Sequence, residues 1–328
     1  MFISGSIFVI VLKAYILQMI IVTGTVAYDY IMDFPGGFSD HIIPEEIHKI
    51  NLSFIVNKFA KRRGGTAGNI SYSLALLTVP HILFTVAGKD FTEYQKDFQK
   101  LGINLSNVKI DKNEYTSTGF AMTDKNDNQI WGYFYGASDG IKDLKLNTVV
   151  KKDDLVLIGP SGAKGSMSLV NQCVALNTSY MFDRGFILTQ VVDQDLALGA
   201  RNAKIIIGND YEITLIKERV KDWEKFFPRK MIITTLGKDG ATINDKGKVY
   251  KIKPAAIKAV VDPTGAGDAW RSGFLAGLEK GFDLQTCGQM GAVTSAYAIE
   301  HYGTQEHTFT KKEFTERYRQ NYKALLKL

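Results

Sequence analysis

Cysteine is nearly absent from this 328-residue chain, with Cys173 and Cys287 the two present. Two separated cysteines build neither a disulfide framework nor a cysteine-rich metal site, and they suit a reducing cytoplasm. Histidine is scarce too: five residues, none in H-E-x-x-H spacing, which argues against a zinc hydrolase. No G-x-x-x-x-G-K-[ST] occurs, so a P-loop is excluded. No G-x-G-x-x-G follows the first apolar strand, so a dinucleotide fold lacks support. The protein-kinase signature set is missing. The formal net charge is +6, yet the basic residues are scattered, with Lys61–Arg63 the densest run. Nucleic-acid binding would need a basic stripe with interleaved aromatics, and none is seen. No Pro/Ser-rich linker and no internal repeat divides the chain, which reads as one domain.

What is present is ordinary for a globular protein: 45% hydrophobic and 23% charged residues. Residues 1–19 are strongly apolar. Lys13 interrupts the run, no basic region precedes it, and no small-residue cleavage site is clear. They are read as an extension outside the fold, with no membrane role expected. Residues 20–328 then alternate. Apolar runs at 20–28, 82–88, 155–160, 204–210 and 230–237 read as buried strands. Helical patterns lie between many of them, at 66–77, 92–102, 165–177 and 211–227, and two more close the chain. This order predicts an α/β fold with a mostly parallel central sheet covered on both faces. Residues 33–63 and 116–137 break the alternation, the second as a hairpin around Lys125–Asn128. Both are expected to form a small β lid.

The stretch "DPTGAGDAW", Asp262–Trp270, places glycines and an acid at the mouth of a helix. Trp270, Phe274, Leu275 and Leu278 share one helical face, and Gly281 ends the pattern. A helix N-terminus presents unpaired N–H groups and favours an anion, and glycine lets that anion approach. An acid in a first turn often only complements the helix dipole. Gly265, Ala266 and Gly267 directly before Asp268 argue for an anion cradle beside a fixed base. Other clusters fall at strand ends or helix starts: Asp29, Gly64–Asn69, Gly208–Glu212 and Thr235–Gly240. Ligands of parallel α/β sheets bind there. Each cluster alone also reads as a turn, a cap or close packing; Asn209 could be a plain helix cap.

Taken in order, these residues resemble the ribokinase-like (PfkB) carbohydrate and nucleoside kinases. The resemblance covers the chain from Ile20 onward, with "DPTGAGD" and "GGTAGN" its two signatures. It implies a three-layer α/β/α fold with a small β lid. It implies Asp268 as the general base and the N–H groups of Gly265, Ala266 and Gly267 as the anion hole. Asn209 and Glu212 match an N-x-x-E motif that organises Mg²⁺ near the phosphates of ATP. Thr235, Gly237 and Gly240 would line the nucleotide; Asp29, Gly65 and Asn69 would hold the acceptor. The finer resemblance, through Trp270–Arg271, "GNDYE" and "GKDF", is to prokaryotic nucleoside kinases of adenosine-kinase type. An adenosine-like nucleoside is the expected acceptor, with ribose, fructose or a related sugar the alternative and a non-catalytic ligand-binding member a third reading. Aromatic lid residues, Phe34, Phe38, Phe120, Trp131, Tyr133, Phe134 and Tyr135, favour the nucleoside, because a base needs an apolar wall. A monovalent cation and a homodimer through the lid stay open. One departure stands out: Asp183-Arg184-Gly185-Phe186 replaces the usual Asp-Pro-Gly-Gln of that branch, so the neighbouring loop is expected to differ.

Overall fold

The computed structural model describes residues 18–43, 48–49, 51–126 and 128–328. The apolar extension of residues 1–19 thus lies almost wholly outside the described residues.

Along the chain, β1 (Ile20–Thr23) leads into β2 (Ala27–Asp33) and β3 (Lys58–Gly64). Next come α1 (Thr66–Leu76), β4 (His81–Gly88), α2 (Thr92–Lys100) and β5 (Val108–Asp111). The hairpin β6 (Ser117–Thr123) and β7 (Gln129–Phe134) precedes β8 (Leu155–Ile158), α3 (Gly162–Ala175), β9 (Ser179–Asp183) and α4 (Asp193–Asn202). Then follow β10 (Ile205–Asn209), α5 (Asp210–Arg219), α6 (Trp223–Phe226), β11 (Met231–Thr235), β12 (Ala241–Asp245) and β13 (Lys248–Ile252). The chain closes with α7 (Ala266–Glu279), α8 (Leu284–Ile299) and α9 (Lys311–Tyr322).

One sheet has the order β13-β12-β11-β10-β9-β8-β1-β4-β5. Its strands from β11 to β5 run parallel, and β12 and β13 are added antiparallel. Side chains alternate across it with period two. Ile20, Val22, Leu155 and Leu157 pack with Ile70, Phe274 and Val293 on one face. Ile21, Val156 and Ile158 pack with Leu169 and Leu196 on the other. Burial on both faces explains why these strands read as unbroken apolar runs. The strand order reverses where β1 sits between β4 and β8, which opens a crevice at the carboxyl ends. No helix among the described residues is long and apolar enough to cross a membrane.

A second sheet, β3-β2-β6-β7, forms the lid. The sequence reads residues 20–28 as one strand, but the structure breaks them at Gly24, whose φ is +135°. The chain leaves the main sheet there, and β2 enters the lid at Ala27, earlier than the expected boundary at residue 33. The turn is clamped: the N–H groups of Ala67 and Gly68 donate to the Thr25 carbonyl at 2.9 and 3.3 Å. The single helix expected over 211–227 is also divided, at Asp222, where φ is +62°.

Candidate active site

Gly265 caps α7 in a left-handed turn, with φ +77°. A Cβ there would sit 2.8 Å from the Thr304 side chain, so the turn needs glycine. The Ala266 N–H is spent on the Pro263 carbonyl at 3.2 Å. The N–H groups of Gly265, Gly267 and Asp268 have no hydrogen-bond partner among the described residues. The unpaired N–H groups at this helix mouth are thus those of 265, 267 and 268, where the sequence reading took 265–267 as an anion hole.

Asp268 stands half-buried in the first turn of α7. Its Oδ2 accepts a 2.8 Å hydrogen bond from Asn69 Nδ2. Burial pushes the carboxyl up to about 6, and the nearby Asp183 and Glu212 add to this, while Arg271 and the Asn69 bond oppose it. Such a carboxylate can take a proton near neutral pH. Asn69 is itself fixed: its Oδ1 accepts from Thr304 Oγ1 at 2.8 Å and Gln305 Nε2 at 2.9 Å. Gln305 also donates to Tyr94 Oη at 2.6 Å, and Tyr94 donates to the Gly64 carbonyl at 2.9 Å. The Asn69 amide nitrogen thus faces Asp268, leaving one amide hydrogen for another acceptor.

Asp29 sits on β2 and faces a cavity of about 710 Å³, lined also by Arg62, Trp131, Asp262, Tyr302 and Thr304. Room for its carboxylate is made by two glycines. A Cβ on Gly64 would lie 2.1 Å from Asp29 Oδ2, and one on Gly119 2.7 Å from Oδ1. Burial pushes Asp29 up to about 6, helped by the charge of Asp262. Gly65 acts on the backbone instead. At φ +84°, its Cβ would meet the Ala27 amide nitrogen and the Thr25 carbonyl at 2.6 Å. It lets the start of α1 touch the root of the lid. Of the seven lid aromatics, Trp131 and Phe34 line the cavity. Phe38 is buried beside Phe34, and Phe120 and Phe134 lie exposed.

Asn209 and Glu212 form a reciprocal capping box on α5. Asn209 Oδ1 accepts from the Glu212 N–H, and Glu212 Oε2 from the Asn209 N–H, both at 2.8 Å. Burial and then Asp183 raise the Glu212 carboxyl. Thr235 ends β11 beside Gly208. Gly237, at φ +56°, has open space where a side chain would stand, which suits a ligand passing close to the backbone. Gly240 is closed in: its Cβ would lie 2.1 Å from the Ile252 carbonyl, so it serves the turn into β12.

Sequence reading named Arg271 only as a branch marker. The structure puts it at the centre. Its Nη2 donates to Asp183 Oδ1 at 2.8 Å and its Nε lies 2.5 Å from Asp183 Oδ2 without a hydrogen bond, an ion pair buried between α7 and the end of β9. Its Nη1 lies 2.8 Å from where a Gly267 Cβ would be. The signal was the spacing Asp268–Arg271, which places both on one helical face. Gln305 and Tyr94 carry no motif and could not have been found from the sequence.

Residues 24–311 match the model of the pfkB family of carbohydrate kinases. The chain belongs to this family. As a PfkB kinase it is a phosphotransferase with an alcohol group as acceptor. It is 29% identical to a nucleoside kinase of Methanocaldococcus jannaschii over 92% of this chain and 97% of that one. It is 31% identical to a Burkholderia thailandensis nucleoside kinase solved with ADP and inosine, with a TM-score of 0.81 over 94% and 97% of the two chains. The solved M. jannaschii enzyme superposes with a TM-score of 0.82 at 27% identity, over 93% and 99%. The three-layer PfkB architecture expected from the sequence is thereby borne out.

Proposed function

We propose that this PfkB kinase transfers the γ-phosphoryl group of ATP to the 5′-hydroxyl of a purine nucleoside. The observation that carries the reading is Asp268. It is a carboxylate of raised pKa, aligned by Asn69, at a helix mouth with free N–H groups. Asp268 takes the proton of the acceptor hydroxyl as that oxygen attacks phosphorus. The N–H groups of Gly265 and Gly267 receive the negative charge that gathers on the transferring group. Asp29 accepts hydrogen bonds from the ribose hydroxyls, and Trp131 offers the base an aromatic wall. Thr235 and Gly237 flank the donor.

No cluster of three metal-binding side chains occurs among the described residues. The Asn209–Glu212 pair fits magnesium, which keeps several waters and takes one or two carboxylates beside substrate phosphates. Glu212 would hold the ion through its remaining oxygen, with Asn209 fixing the carboxylate. When bound, magnesium neutralises phosphate charge. A cytoplasmic site of action and a homodimer through the exposed outer face of the lid belong to the same reading.

The two Burkholderia complexes, one with inosine and one with ADP and inosine, support a nucleoside acceptor and an adenine nucleotide donor. Adenosine is the acceptor expected from the sequence, so the deciding assay sets adenosine and inosine against ribose and fructose with Mg-ATP. A nucleoside should give the highest kcat/KM. A free sugar ahead of every nucleoside by ~tenfold or more, about 1.4 kcal/mol of transition-state binding, would return the chain to the sugar kinases.

A further inference from the structure

Arg184 follows Asp183 at the carboxyl end of β9. It is 1% exposed. Its Nε, Nη1 and Nη2 all lack a hydrogen-bond partner. Among the described residues no other arginine has its whole guanidinium in this condition; Arg62, Arg201 and Arg271 each have one buried unpartnered atom, Nε. The group lies over the Phe182 ring, with Cζ 5.3 Å from the centroid. The adjacent carboxylate is already engaged: Asp183 is ion-paired with Arg271, whose Nη2 donates to it. Burial lowers Arg184 to about 10, opposed by the charges of Asp183 and Asp195, so it stays protonated at neutral pH. A buried cation without an acceptor is costly and calls for a partner that arrives.

Position says which partner. β9 and β10 run parallel with Asp183 opposite Ile207, so Arg184 is level with Gly208, next to Asn209. This is the strand end at which the donor phosphates are proposed to bind. Arg184 is followed directly by Gly185–Gln190, a six-residue 3₁₀ segment, longer than such segments usually run. It starts at Gly185 with φ +48°.

We propose that Arg184, packed over Phe182, is a phosphate-binding residue for the triphosphate tail of the donor and turns toward the phosphates when they bind. A guanidinium suits such a role, since its planar fork matches phosphate oxygens. The inference rests on the ATP-dependent reading given above.

The test uses the full chain with Arg184→Met, an apolar replacement expected to fold because it removes a buried unpaired charge. Arg184→Lys, which keeps the charge, is the second variant. Binding of a non-hydrolysable ATP analogue with magnesium, and separately of the nucleoside, is measured by calorimetry. Loss of one charge-assisted hydrogen bond should weaken the triphosphate by ~tenfold or more in Arg184→Met, less in Arg184→Lys, with nucleoside affinity unchanged. Equal triphosphate affinity in parent and variants overturns the proposal, and so does equal weakening of both ligands, which would make Arg184 a packing residue. A parent chain that binds no triphosphate overturns the kinase reading together with this one.

Discussion

The two carboxylates of the site carry opposite demands on pH. Asp268 and Asp29 both stand near 6 against an ordinary value of 3.8. The folded chain therefore holds their protons more tightly than the unfolded chain. The stability they contribute is present below about pH 4 and is lost as pH rises through about 6. Activity should run the other way, since Asp268 must be ionised to act as the proposed base. The acid limb of kcat/KM should fall near pH ~6. Asp268→Asn should fold, bind both substrates, and lose at least ~10²-fold in kcat. Its melting temperature should exceed that of the parent at pH 8, with the gap closing toward pH 4. A variant within a few-fold of parental activity would reduce Asp268 to a dipole acid.

At the level of elements, the Arg271–Asp183 pair ties α7 to the end of β9. Removing one partner strands a buried charge, so Arg271→Met should cost ~3–5 kcal/mol in urea unfolding. Adding Asp183→Asn should recover part of that loss. If the single variant unfolds like the parent, the pair is no structural tie. This tie also marks how far the sequence could be read. The parallel strands were legible because burial on both faces leaves unbroken apolar runs such as residues 204–210. The helix mouth at Asp268 was legible because glycines and an acid have few other reasons to stand together. The lid boundary was not, because Gly24 looks like a strand glycine until Thr25 is seen clamped by α1. The contacts of Asn69 were not either, since Thr304 and Gln305 lie 235 and 236 residues away. The N-x-x-E motif was half legible: its capping role follows from local spacing, whereas the proximity of Asp183 to Glu212 depends on strand order.

For the whole molecule, the lid has two unlike faces, set by strand alternation. Asp29 and Trp131 look into the cavity. Tyr30 stacks on Phe120 on the other face, where Phe120, Ile130 and Phe134 are 46–47% exposed and Phe59 is 64% exposed. An apolar patch of this kind suits the proposed homodimer contact. Light scattering at micromolar concentration should give twice the 36.5 kDa chain mass, and Phe120→Glu should halve it. A parent chain that runs at single mass would leave the patch without this partner. The division of labour between lid and core has one more consequence. Asp29 rides on the lid, whereas Asp268 belongs to the core. A water molecule that reaches Asp268 is too small to engage Asp29 as well. On the proposed reading, a polyol acceptor engages both, and its binding energy is what would draw the lid down over the reacting atoms. Such an arrangement would guard the nucleotide against futile hydrolysis while the acceptor is missing.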